Sequence, residues 1–366
     1  MTDLLFTVDI QSSRVVIPSV DVPQLVYLLI DIRPPQDRDL TSLPLNLCIV
    51  IDRSSSMRGD RLDHVRAATS AVLEKLSSDD VVSIVTFSDT AEVVFPVQHV
   101  SSKAEVLSVL NSINAAGGTE MLSGLRYGFN QMERVPLETH NNHLLLLTDG
   151  HTYGDENACI DLVHSAADKG IDFSAFGIGS EWNDRFLDSL VSYSGGQSIF
   201  VESPEKVISS MQRRFEGIGR IYAQNVRLIA DFPNEIGLKS AFKVTPFAQS
   251  IIQKDIFVNF GAVEGRRTLS VLFEFLLDPQ PAGATVSIPL LLLADIPSQL
   301  IRDRELKLRY DLEVVAEEPE LNPPQELINA VQAMNFHKMN EIAWQEIQDG
   351  DIQKAFKLKI KILLKI

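Results

Sequence analysis

Positive charge is scarce in this chain: 33 lysines and arginines face 49 aspartates and glutamates, a formal net charge of −16 at pH 7. That balance disfavours nucleic acid and anionic membrane surfaces as primary partners, since both demand basic patches. It suits solubility and a cationic ligand such as a metal. Cysteine is scarcer still. Cys48 and Cys159 are the two in the chain, within apolar or helical patterns; with no disulfide framework and no zinc spacing, both read as buried free thiols. Long apolar runs are missing, and the longest, "IPLLLLA", falls far short of the roughly 20 residues that span a bilayer. The opening "MTDLLFTVDIQ" has neither a basic n-region nor a long apolar h-region, so it does not read as a secretory signal. The expectation is a soluble, cytoplasmic protein without membrane insertion. Low-complexity runs are absent too, which with 22% charged residues removes disorder as the default.

What is present is a large apolar fraction, 45% of 366 residues, enough for one large or two to three ordinary domains. From Leu45 to about Ile221 apolar runs alternate with amphipathic stretches. "LNLCIVI" (45–51) reads as a strand buried on both faces. After it, "RLDHVRAATSAVLEKL" sets Leu62, Val65, Thr69, Val72, Leu73 and Leu76 at helical spacing. Further strands are expected at "VVSIVTF" (81–87), near Glu92–Phe95, and at "HLLLLT" (143–148), "IDFSAFGI" (171–178) and "QSIFV" (197–201). Helices are expected over 103–114, about Glu120–Arg134, Asn157–Lys169, near Asp184–Tyr193, and from Pro204, where proline suits a first turn. Doubly buried strands separated by helices predict an α/β fold with a doubly wound, mainly parallel six-stranded sheet. Right-handed crossovers favour the order 3-2-1-4-5-6 with one antiparallel edge strand.

The flanks differ. Residues 221–316 hold runs of period two, clearest in "RTLSVLFEFLL", where Leu269, Val271, Phe273 and Phe275 share a face. "ATVSIPLLLLAD" reads as another strand, with Pro289 marking an edge or a bulge. Residues 1–42 read as two or three strands, among them "QLVYLLIDI". So few strands are marginal alone in water. They are therefore expected to join those of 221–316 in a β-sandwich, into which the α/β unit of 43–220 is inserted; the rival is an N-terminal extension lying on that unit. An acidic, proline-rich linker (313–324) leads to a C-terminal helical segment, 323–366. Its "QELINAVQAMNFHKMNEIAWQEIQDGDIQKAF" reads as two helices joined at "DGD", with Ala330, Ala333, Met334, His337, Ile342 and Ala343 on one face. That hairpin resembles a single tetratricopeptide-like unit. The end, "KAFKLKIKILLKI", reads as a packed last helix with solvated lysines, or as a basic amphipathic contact element.

Ligands of doubly wound sheets bind beyond the carboxyl ends of strands where the winding reverses. With the expected order, that switch lies between the first strand, which ends in "IDRSSS", and the fourth, which ends in "LLTDG". Asp52, Ser54 and Ser56 occupy alternate positions, so in an extended loop they face one way. Asp149 follows the fourth strand, and "AAGGTEM" (115–121) adds Thr119 just before a helix. Asp52, Ser54, Ser56, Thr119 and Asp149 offer oxygen alone, which suits a hard cation, Mg²⁺ or alternatively Mn²⁺ or Ca²⁺, rather than zinc. The spacing by itself is a modest signal, since Asp-x-Ser-x-Ser arises by chance in roughly one chain in ten of this length. The plain alternative makes Asp52 and Ser54 a helix cap and Thr119 another. Order, strand-end placement and the two distant partners favour the metal.

These residues carry a family likeness. Asp52-Arg53-Ser54-Ser55-Ser56-Met57, Gly117-Gly118-Thr119 and Thr148-Asp149-Gly150 resemble the von Willebrand factor A-domain family, whose members include integrin I domains. "FGIGSEWND" and "SGGQSIFV" are similar to later strands and loops of its bacterial members, so the resemblance spans about residues 43–220. It implies a metal-ion-dependent adhesion site. By that likeness Ser54 and Ser56 would bind the ion directly, Thr119 directly or through water, and Asp52 and Asp149 largely through water. An acidic side chain of a protein partner would fill the open position. The flanking sandwich and helical tail look like those of bacterial stand-alone A-domain proteins, for which a MoxR-type AAA+ ATPase system is one setting. One position departs from the family, which usually has glycine where this chain has Ser55. If that position needs φ > 0, serine carries strain on the order of 1 kcal/mol and weakens or reshapes metal binding. Alternatively the serine adds a further hydroxyl to the site.

Competing motifs fail on context. "GIGSE" (177–181) lacks the third glycine of a dinucleotide loop and follows the fifth strand, not the first. His151 beside Asp149 reads as a rim residue, because no nucleophile with an orienting partner can be assigned. The expected function is thus non-enzymatic, divalent-metal-dependent protein binding. The rivals are a metal-dependent hydrolase with His151 or Glu120 as base, and a metal-free scaffold.

Overall fold

The computed structural model describes residues 5–35, 43–99, 103–149, 152, 154–178, 184–192, 194, 196–201, 205–218, 221–251, 253–254, 256–265, 267–299, 301–317, 320 and 322–348. The α/β unit contains strands β4 (Leu45–Asp52), β5 (Val81–Phe87), β6 (Ala91–His99), β7 (Asn141–Thr148), β8 (Ile171–Ile178) and β9 (Ser198–Val201). Its helices are α1 (Asp60–Leu73), α2 (Lys103–Ser112), α3 (Met121–Met132), α4 (Glu156–Asp168), α5 (Asp184–Ser192) and α6 (Glu205–Ile218). The sheet runs β6-β5-β4-β7-β8-β9, the order expected from the sequence. It is a mixed sheet, in which β6 alone runs antiparallel to its neighbour. Helices cover both faces, so β4 is buried throughout and alternates its side chains between two cores. Leu47, Ile49 and Ile51 meet α1, α2 and α6 on one side, while Cys48 and Val50 meet α3, α4 and α5 on the other. Burial pushes the Cys48 thiol up to about 12 and raises Cys159 as well, so neither is a ready thiolate.

Strand β6 is longer than the sequence suggested, because it carries its proline at a bulge. Its register against β5 shifts between Phe95 and Gln98, across Pro96, where a missing N–H is tolerated on an edge strand. The Val97 amide left by the bulge donates to Gln131 Oε1 on α3 at 3.1 Å.

The remaining strands form two facing sheets. One is β1 (Thr7–Ser12), β3 (Gln24–Arg33), β15 (Leu269–Leu277), β11 (Ile236–Thr245) and β12 (Gln249–Ile251) in the order β1-β3-β15-β11-β12. The other contains β13 (Gln253–Lys254), β14 (Phe257–Glu264), β10 (Ile221–Ile229), β16 (Thr285–Ile296), β17 (Ile301–Val315) and β2 (Val16–Pro18) in the order β13-β14-β10-β16-β17-β2. Strand β3 pairs antiparallel with β15, Leu28 opposite Phe273, and β2 runs parallel to the end of β17. Leu28, Ile30, Val271, Phe273, Phe275, Ile288 and Leu290 share the core between the sheets. Pro289 lies in an interior strand, but the pairing of β16 with β10 covers only Leu291 to Asp295, so the proline sits in a stretch paired on one side. Gln224 Nε2 of β10 donates to Asn141 Oδ1 at the start of β7, at 3.3 Å.

Helix α7 (Gln325–Gln348) lies on the outer face of the first sheet, where Leu327, Ala330 and Met334 pack against Leu29, Phe242 and Leu272. Strand β15 is thus buried on both faces. Lys338 Nζ reaches Glu274 Oε2 at 3.0 Å beneath the helix. Ile342, expected on the packed face, is 49% exposed, whereas the adjacent Ala343 is buried; the ring of His337, in the turn before Ile342, still packs on Phe242 of the sheet. The second helix of the expected hairpin and the lysine-rich end fall outside the described residues. No described helix is long and apolar enough to cross a membrane.

Candidate metal centre

Strands β4 and β7 are parallel neighbours, with Ile51 opposite Leu147, so Asp52 and Asp149 leave the sheet side by side. Asp52 is fully buried. Its Oδ1 accepts the Ser54 backbone N–H at 2.8 Å, and its Oδ2 accepts the Thr148 hydroxyl at 2.8 Å. Burial raises the Asp52 pKa to about 6, and the nearby charge of Asp149 adds to the rise, while the bonds from Ser54 and Thr148 work against it. The Ser54 and Ser56 hydroxyl oxygens stand 3.0 Å apart. The chain does not stay extended between them: Ser54 is extended (φ −59°, ψ 166°), and Ser55–Met57 then form a 3₁₀ turn. Thr119 is buried at the end of the 115–118 loop, which reaches the serine loop through the backbone, where Ser55 N–H donates to Gly117 O at 3.0 Å.

Asp149 is 3% exposed. Arg61 Nη1 lies 3.5 Å from its Oδ2 and 3.0 Å from Ser56 O. Its Oδ1 is buried with no hydrogen-bond partner. Two neighbouring carboxylates, one unpaired buried oxygen and converging hydroxyls make a site that gains from a cation, and its donors are all hard oxygens. The set therefore fits a divalent ion such as Mg²⁺. Among the described residues, no group of three or more His, Cys, Asp or Glu side chains is disposed to hold a metal, so hydroxyl oxygens would have to complete the set.

The capping alternative does not hold. Helix α1 starts after Gly59, α3 after Glu120 and the 3₁₀ turn after Ser54, none with a side-chain cap hydrogen bond. Strain at Ser55 is also absent: the positive-φ non-glycine residues among those described are Asn225 and Asp303. Ser55 opens a right-handed turn that any L residue adopts, and its hydroxyl donates to Gly117 O at 3.0 Å. Three residues around the site were given no role by the sequence, although Thr148 stood in the motif before Asp149. Thr148 holds Asp52, Arg61 faces Asp149, and Asp89 Oδ1 accepts Gly118 N–H at 2.8 Å. Only Thr148 carried a signal, a hydroxyl directly before the strand-end aspartate. His151 lies outside the described residues; Glu120 is described and exposed.

Residues 46–214 match the family model for the von Willebrand factor type A domain. Among curated proteins, the chain is 28% identical to an uncharacterized protein of Synechocystis sp. over 61% of this chain and 53% of that protein. It is 26% identical to the uncharacterized protein YfbK of Escherichia coli, over 71% of this chain and 46% of that one. The chain thus spans about half the length of these curated relatives. Human inter-alpha-trypsin inhibitor heavy chain H4 matches at 32% identity over 43% of this chain and 18% of that protein. None of these names states an enzymatic activity. Among solved structures, "von Willebrand factor type A from Catenulispora acidiphila" superposes with a TM-score of 0.77 at 15% identity, covering 99% of this chain and 87% of that one. The ArnB paralog VWA2 from Sulfolobus acidocaldarius superposes at 0.66 with 14% identity, covering 98% and 89%. These two likenesses extend the shared fold over the flanking sheets. Residues 46–214 of this chain form a von Willebrand factor type A domain, a type that commonly binds a divalent metal ion and mediates protein–protein interactions.

Proposed function

We propose that this protein is a non-enzymatic, cytoplasmic binding module that takes a protein partner through a divalent ion, Mg²⁺ first, held by Asp52, Ser54, Ser56, Thr119 and Asp149. The observation that carries this reading is the buried, unpartnered Asp149 Oδ1 beside the fully buried Asp52 and the paired serine hydroxyls. A bound ion supplies a Lewis-acidic position for one anionic oxygen of the partner, an aspartate or glutamate side chain. Thr148 and the Ser54 amide hold the Asp52 carboxylate in place, and β4 and β7 fix the spacing of the two aspartates. The sandwich and α7 add contact surface, and an AAA+ ATPase system is the proposed setting.

A metal-free scaffold is the second reading. Arg61 favours it, since its guanidinium already offers positive charge to Asp149 Oδ2 and the Ser56 carbonyl. The hydrolase reading gains no such support. Immobilised protein should retain its partner in Mg²⁺ and release it in EDTA, and Asp52→Ala and Ser54→Ala should each abolish retention. Undiminished capture in EDTA contradicts the proposal and favours the scaffold.

A further inference from the structure

We propose that Ser55 is a positioning residue that clamps the Thr119 loop onto the serine loop and thereby sets the metal affinity. This rests on the metal reading above. Mg²⁺ demands near-octahedral oxygens at about 2.1 Å, so two loops that share an ion must hold their relative position to a fraction of an ångström. Here the loops come from distant parts of the chain. Residues 53–56 follow β4, whereas 115–119 connect α2 to α3.

The contacts between them are few and involve main-chain groups. Ala116 N–H donates to Arg53 O at 2.8 Å, and Ser55 N–H donates to Gly117 O at 3.0 Å. The Ser55 hydroxyl donates to that same Gly117 carbonyl, also at 3.0 Å. One carbonyl therefore uses both of its lone pairs on one residue. Behind the loop stands Asp89, just past β5. Its Oδ1 accepts Gly118 N–H at 2.8 Å, while Glu120 N–H donates to Ser88 O at 2.7 Å. A Cβ at Gly117, which has φ +86°, would fall 2.4 Å from Asp89 Oδ2. The residues on both sides of Thr119 are thus pinned, with Ser55 closing the side toward Ser54 and Ser56.

A glycine at this position would keep the amide bond, lose the hydroxyl bond and gain backbone freedom. Ser55 is otherwise exposed, and its hydroxyl has this one hydrogen bond to give. Its loss should leave the fold intact and loosen the site alone.

The test uses the full chain with three variants, Ser55→Ala, Ser55→Gly and Ser55→Thr. Calorimetric titration with MgCl₂ should show Kd rising roughly three- to tenfold in S55A and S55G, the loss expected for one hydrogen bond. S55T, which keeps the hydroxyl, should stay within about twofold of wild type. In EDTA, amide hydrogen exchange at Ser55 and Ala116 should quicken in S55A, with the melting temperature unchanged. An unchanged Kd in S55A overturns the proposal, even if exchange quickens, because Ser55 would then order the loop without affecting the site. A lowered melting temperature with S55T failing to rescue Kd also overturns it. Absence of Mg²⁺ uptake by the wild-type protein at millimolar concentration refutes the metal reading itself, an outcome distinct from any difference among the variants.

Discussion

Replacing Asp52 by asparagine should stabilise the metal-free protein at neutral pH while destroying the site. Burial raises the Asp52 pKa from 3.8 to about 6. The folded chain therefore keeps that proton up to about pH 6, whereas the unfolded chain releases it near pH 4. Between those values the native state binds more protons, so stability falls as pH rises. By pH 7.5 ionising Asp52 costs about 3 kcal/mol; at pH 4.5 the cost is about 1 kcal/mol. Asparagine has no charge to desolvate. It accepts from only one of the Ser54 amide and the Thr148 hydroxyl, a loss of about 1 kcal/mol. The net gain is then about 2 kcal/mol at pH 7.5 and close to zero at pH 4.5. For a unit the size of the α/β domain this is about 4–8 °C in melting temperature. Melts of wild type and D52N in EDTA at the two pH values measure it directly. Excess Mg²⁺ should reverse the order at pH 7.5, because only the wild type gains stability by binding. A D52N protein that melts below wild type in EDTA at pH 7.5, or gains equally at both pH values, refutes the reasoning.

Thr148→Val removes the donor to Asp52 Oδ2 and pushes that carboxyl further up, so Mg²⁺ affinity measured by calorimetry should fall about tenfold at pH 6.5 and less at pH 8. Gly117→Ala places a Cβ against Asp89 at a residue with φ +86°; Mg²⁺ binding should weaken more than about tenfold, with circular dichroism unchanged. Leu327→Ala opens a cavity between α7 and the first sheet, where the leucine is 2% exposed. It should cost about 2–4 kcal/mol by denaturant titration and leave Mg²⁺ affinity at its wild-type value.

The winding of the α/β sheet was legible because β4, β5, β7 and β8 are buried on both faces, and such strands read as unbroken apolar runs between amphipathic helices. The side-by-side placement of Asp52 and Asp149 follows from that order. The residues that organise the site were not legible, because their roles arise from loops packing across large separations. Asp89 reaches Gly118 across 29 positions, and Arg61 reaches Asp149 across 88; no periodicity encodes either. Ser55 shows the same limit. Its identity invited an argument about strain, but the backbone is a right-handed turn, so its hydroxyl bond to Gly117 O is what distinguishes it from glycine. The extent of β6 was obscured by Pro96, which a bulge at an edge strand absorbs. The packing of Leu272 against α7 was hidden because alternation within β15 marks one core face and cannot say what covers the other.

Mn²⁺ binding followed by electron paramagnetic resonance, on the wild type and on the Asp149→Ala variant, tests the metal site most directly. The wild type should immobilise one Mn²⁺ per chain, release it on addition of excess Mg²⁺, and lose it in the variant. Free Mn²⁺ signal throughout, or equal binding by both proteins, would contradict a cation site built on Asp52, Ser54, Ser56, Thr119 and Asp149.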